Sequence, residues 1–282
     1  MKPKKEAEMG KKNLKRILLV LFLFFGGTFF NISYLWTEEK LPNSIKDTFE
    51  EIRISFHGMW SGPDSPSVMN SSLKRIEPKT QIIIDYARTS DENLKLCANY
   101  ILNYFDNFIE KFQPGEKIEE KLLKKMKEGI LVTEAPTIGL SIYTYLLLEL
   151  SNIKQDTVFT KEVLSKIYNV CLATSNIFEQ FAIYKNPTDL RKKEIEVLKE
   201  KEEMMGTSEI FEIAWFCENF MAEAYLSEKT YLPKPAIEII NSYWDWRKEE
   251  MIKLKRATCL TIGYYSQTLS YIKKLIEVLP EK

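Results

Sequence analysis

Residues 90–112 read SDENLKLCANYILNYFDNFIEKF, and this stretch decides the fold class. Leu94, Cys97, Ile101, Phe105, Phe108 and Phe112 recur at three- and four-residue steps, so they share one face of a helix. Ser90 stands in the N-cap position, and Asp91 and Glu92 place negative charge where the helix dipole favours it. Pro114-Gly115 ends the run. Alternation of apolar and polar residues, the signature of a strand, is scarce along the chain, and only 10 of 282 residues are glycine. The expected class is all-α: an N-terminal single transmembrane helix, then a multi-helix bundle or an irregular α-solenoid-like domain.

Helical patterns extend outward in both directions. Upstream, Ile45, Phe49, Ile52, Phe56, Met59 and Trp60 mark a helix over 43–60. Its mixed-charge polar face favours packing into the domain over lying flat on a membrane. Ser61–Ser67 (SGPDSPS) breaks the chain, and a helix over 68–88 should bend or restart at Pro78. Downstream, the patterns predict helices over 117–132, 136–152, 160–185, 189–205, 208–227 and 236–278. Thr160, Thr188 and Thr207 or Ser208 are candidate caps, Pro136 and Pro235 suit first turns, and Gly206 suits a stop. The last stretch is too long for one ordinary helix, with Gly263 a weak point. Asp189–Glu203 holds five basic and six acidic side chains and reads as a solvated outer helix; its thin apolar seam supports a coiled-coil contact poorly.

The chain's place relative to a membrane is set by a different stretch. Ile17–Trp36 (ILLVLFLFFGGTFFNISYLW) is 20 residues without a charge. As a helix it measures roughly 30 Å, the thickness of a bilayer's hydrocarbon core. Tyr34 and Trp36 stand at its end, where amphipathic rings favour the headgroups. Before it come seven cations against Glu6 and Glu8, a balance of +5. Basic flanks stay cytoplasmic, so the remainder of the chain is expected outside, a bacterial inner membrane being the expected setting. A cleavable signal peptide is the chief rival, with Gly26, Gly27 and Thr28 near a cut; the apolar run continues past them and favours retention. The opposite topology would keep the cysteines in a reducing compartment. Thr137–Leu148 is apolar too, but its dozen residues suit a buried helix better than a second span.

The expected organisation is therefore a basic tail (1–16), a signal-anchor helix (17–36), a membrane-proximal helix and Pro/Ser-rich linker (37–67), and a helical extracytoplasmic domain (68–282). Beyond the anchor, 33 basic and 38 acidic residues leave about −5, which argues against nucleic acid as a partner. The partners expected are the lipid bilayer, through Ile17–Trp36, and another protein.

Chemistry-bearing patterns are sparse. There is no phosphate-binding P-loop, GxGxxG, HExxH or GxSxG pattern. His57 is the only histidine, and Cys97, Cys171, Cys217 and Cys259 show no C-x-x-C spacing, so no metal and no cofactor is expected. Those cysteines read as buried thiols or as inter-helix disulfides. No catalytic residue is assigned; Glu134 and Glu149, in apolar surroundings, are the carboxylates on which a metal-independent hydrolase or lyase would have to rest. Aromatics at helical spacing are usually core, yet Trp244, Trp246, Arg247, Tyr264 and Tyr265 form the candidate interaction surface. The functional expectation is a membrane-tethered interaction module, with an extracytoplasmic small-molecule-binding or sensing domain as the alternative.

Overall fold

A computed structural model describes residues 40–56, 65–127, 136–185, 208–226, 231–254 and 262–281, and the regular structure among them is entirely helical. In chain order the helices are α1 (Asn43–Ser55), α2 (Ser65–Arg88), α3 (Asp91–Lys111), α4 (Glu120–Lys127), α5 (Leu140–Lys154), α6 (Thr157–Lys185), α7 (Ser208–Leu226), α8 (Lys234–Leu254) and α9 (Ile262–Val278).

α3 follows its sequence closely. The Ser90 hydroxyl accepts from the Asn93 N–H at 3.1 Å, and Leu94, Cys97, Ile101, Phe105 and Phe108 are buried. α1 turns Ile45, Phe49 and Ile52 into the same core, and Phe56 follows them. The compact unit accordingly begins at Leu41, and the helix of the expected 37–67 segment is one of its walls. Ser65–Ser67, read as linker, already belong to α2.

α2 passes through Pro78 without restarting. A proline inside a helix removes one N–H and presses its ring on the carbonyl four residues back. Pro78 lies on the exposed side, while Ile76, Thr80, Ile83, Ile84 and Ala87 are buried on both sides of it. Tertiary packing on either flank holds the helix together across the defect.

α5 is the centre. From Leu140 to Leu148 only Tyr145 escapes full burial, as expected of a helix that is apolar all round. It packs against α1, α2, α3, α6 and α7, and α6 in turn meets α3, α4, α7 and α9. Helices remote in sequence thus share one core, unlike a solenoid, whose repeats meet only their neighbours.

Two local expectations need correction. The turn from Pro136 to Gly139 precedes α5, so Pro136 is outside its first turn. Thr160 does not cap α6: the Asp156 carboxylate accepts from the N–H groups of Val158 and Phe159 at 2.8 and 3.0 Å. Thr160 lies one turn in, its hydroxyl donating to the Asp156 carbonyl and paired with Ser151. An acid one residue ahead of the helix outcompetes a threonine in it because its oxygen reaches the free N–H groups directly. Within the long C-terminal pattern the described residues form α8 and α9, with Pro235 in the first turn of α8 as expected and Gly263 in that of α9; residues 255–261 lie outside the described residues.

Among the described residues no helix is long and apolar enough to cross a membrane. The expected anchor, Ile17–Trp36, lies outside the described residues, as do Glu134, the caps Thr188 and Thr207, and the charged stretch 189–203.

Candidate functional site

The expected interaction surface does not assemble as one exposed face. Trp244 and Trp246 flank Tyr243, which is fully buried and meets both rings, at 5.4 and 5.6 Å. Residues two apart on a helix point to different sides, so the two tryptophans cannot form a joint patch. Trp246 turns towards α9, where its ring stacks on Tyr271 at 6.4 Å. Arg247 is only 4% exposed, and its Nε donates to Glu218 Oε1 on α7 at 2.9 Å. Arg247 therefore belongs to a buried ion pair and is removed from the surface set. Tyr265 is half-buried and faces α6, its hydroxyl 3.4 Å from Ser175 Oγ; burial, with Cys171 beside it, pushes it well above the usual tyrosine range. The Tyr264 side chain is outside the described residues.

Trp244 is the member that reaches an edge. Its ring lies 6.2 Å from Tyr225, and its indole Nε1 is buried without a hydrogen-bond acceptor among the described residues. Beside it Tyr225 and Leu226, at the end of α7, are 41% and 78% exposed. Lys248 covers part of this edge, its Nζ 5.3 Å from the Tyr225 ring centre. Sequence reasoning missed Tyr225 and Leu226, since the apolar pattern of α7 gives no sign that its last two residues stay exposed.

The densest polar cluster lies elsewhere, between α1, α3 and α5. Arg53 Nη2 meets Glu50 Oε2 at 2.8 Å, and the Tyr100 hydroxyl donates to Glu50 Oε1 at 2.9 Å. Tyr104 donates to the Ile138 carbonyl at 2.7 Å, and Tyr143 to the Phe49 carbonyl at 3.3 Å. Burial, reinforced by Glu50, raises Tyr100 to about 12 and Tyr143 further. Each tyrosine hydroxyl is occupied, so the cluster fastens three helices. Glu149 is half-buried and has a partner of its own.

Cys97, Cys171 and Cys217 are buried free thiols, so none of the three takes part in a disulfide. Burial pushes Cys97 and Cys171 up to about 12; Cys217 rises well above the ordinary thiol value, by burial and then by Cys171 nearby. Thiols held protonated in an apolar interior are poor nucleophiles. Among the described residues no three histidine, cysteine or acidic side chains are grouped to hold a metal ion.

One cavity stands out for its charge. A cleft of about 390 Å³ opens between the end of α3, the loop after it and α4. Lys111, Lys117, Lys121 and Lys125 line it with Glu119, over Phe112, Ile118 and Leu122. The signal was present in the sequence as lysines four apart at 117, 121 and 125, which one helical face would gather. Comparison with protein-family models, with curated proteins and with solved structures finds no match to this chain.

Proposed function

We propose that this chain is a membrane-tethered helical interaction module, a scaffold or accessory subunit that docks on another protein at the bilayer surface. The observation that carries the reading is the charge-free Ile17–Trp36 behind a +5 tail, joined to a helical body. In this reading the tail is cytoplasmic, the chain crosses once, and the body stands on the extracytoplasmic side. The exposed Tyr225–Leu226 edge beside Trp244 supports docking, because aromatic and aliphatic side chains left at an edge are what protein contacts bury.

Two measurements test it. Protease added to intact spheroplasts should digest the body while leaving the tail, and N-terminal sequencing should find Ile17–Trp36 retained. A photo-crosslinking side chain at Leu226 should yield a discrete adduct in membranes, whereas one at exposed Lys95 on α3 should not. Protection of the body from protease, or a mature chain that starts beyond Thr28, refutes the tether. A chain that crosslinks to nothing from position 226 refutes the docking edge.

A further inference from the structure

We infer that the cleft between α3 and α4 is a binding site for a phosphate-bearing anion, independent of the docking reading above. Its lining carries four lysines against one carboxylate, in a chain whose cations and acids balance overall at zero. Elsewhere in this body several lysines reach an acid: Lys79 meets Glu51, Lys161 meets Glu281 and Lys166 meets Asp106. Lys111, Lys117 and Lys121 enter no ion pair with the described residues, although Glu119 is at hand in the same cleft. Lys111 rests instead over the Phe112 ring, its Nζ 5.4 Å from the centre. Unpaired ammonium groups converging on one concavity repel each other, and an anion between them removes that repulsion.

The loop that carries Lys117 is held in place from behind. Asn176 of α6, itself only 8% exposed, donates to the carbonyls of Gln113, Glu116 and Phe112 at 2.8, 3.3 and 3.4 Å. Gln180, one turn on, accepts from the Ile118 N–H at 2.8 Å and donates to the Glu116 carbonyl at 2.6 Å. Gly115 makes the tight left-handed turn this path requires, at φ +88°. Phe112 and Ile118, both buried, anchor the loop's two ends in the core. Two amides of the longest helix thus immobilise a surface loop more than 60 residues away in sequence. Ligands bind more tightly to positions fixed before they arrive, because little ordering remains to oppose binding.

The ligand chemistry follows from the lining. Lysine ammonium groups suit phosphate oxygens as point charges. A volume of about 390 Å³ exceeds a single inorganic phosphate and is that of a small organic site. The apolar floor of Phe112, Ile118 and Leu122 accepts a carbon skeleton beneath the charged groups. A phosphodiester lipid headgroup and a soluble polyphosphate share this chemistry.

Calorimetric titration of the full chain in a neutral maltoside detergent separates the sources. Inorganic pyrophosphate is one probe and dihexanoyl phosphatidylglycerol, below its micellar concentration, the other. Saturable binding of pyrophosphate assigns a soluble anion, and saturable binding of the short-chain lipid assigns a headgroup. In either case K117A/K121A should weaken binding at least about tenfold, since two charge-assisted contacts are lost. The affinity should also fall as sodium chloride rises from about 50 to 300 mM, because exposed charges are screened. Both lysines are exposed, so truncating them leaves the buried core intact. K95A/K234A, elsewhere on the surface, should bind as the parent does. Absence of saturable binding of both probes overturns the assignment, as does equal weakening by the two double variants.

Discussion

Gly139 separates two physical effects that usually arrive together. Its φ of +85° lies in the left-handed region, and it stands at the N-cap of α5, in van der Waals contact with the Arg53 stem of α1. An alanine there costs about 1–2 kcal/mol for the backbone conformation alone. Its Cβ would also fall inside the contact distance of Arg53 Cγ, with Arg53 Cδ and Cβ at 3.1 and 3.3 Å. These are stem atoms, so the side chain cannot swing only its tip away. Either α1 shifts or Arg53 leaves Glu50, and overpacking of this kind costs about 1–3 kcal/mol more. Gly115 supplies the control: its φ is +88°, but a Cβ there meets nothing within 4 Å. Gly139→Ala should therefore destabilise the body by about 2–5 kcal/mol and Gly115→Ala by about 1–2. Urea unfolding of each variant, followed by helical circular dichroism in neutral detergent, reads both numbers. Arg53→Ala removes Cγ and Cδ and leaves only Cβ at 3.3 Å, so in that background the cost of Gly139→Ala should fall close to that of Gly115→Ala. Equal costs in the parent background, or a gap that Arg53→Ala leaves untouched, would refute the steric argument.

Three further outcomes follow from the same structure. Arg247→Met should lose about 3–5 kcal/mol in thermal unfolding, since it strands the buried Glu218 carboxylate; adding Glu218→Leu should recover much of that loss. Cys97, Cys171 and Cys217 should resist iodoacetamide at pH 8 in the native protein and react at once in urea: Cys97 and Cys171, near 12, are about one part in ten thousand thiolate at that pH, and burial holds Cys217 well above the ordinary thiol value. Mass mapping of the alkylated peptides checks this. Tyr100 and Tyr145, both raised to about 12 with burial the chief cause, hold their protons in the folded chain after the unfolded chain has released its own near 10. The unfolded state then binds fewer protons, so stability is full below pH 10 and declines as pH rises from 10 towards 12. Absorbance at 295 nm should show these two phenols ionising late, or only as the helices melt; ionisation near pH 10 with the helices intact would contradict it.

What the amino-acid sequence determined is the local part. The apolar spacing of α3, its Ser90 cap and its Pro114-Gly115 stop act within a few residues, so they can be read without knowing any neighbour. The same holds for the charge-free run from Ile17 to Trp36, whose length and flanks are the whole argument for a membrane tether. Periodicity says that a face is buried but never against what, and on that point only the tertiary structure decides. The sequence offered Arg247 to solvent beside two tryptophans; the packing of α7 supplies Glu218 and turns it inward. Pro78 reads as a bend or a restart, and buried residues on both sides carry α2 through it. The lysines at 117, 121 and 125 were visible as a charged face. That they converge with Lys111 depends on a loop held by Asn176 and Gln180, contacts that local sequence cannot encode because they exist only once α6 has packed against α3.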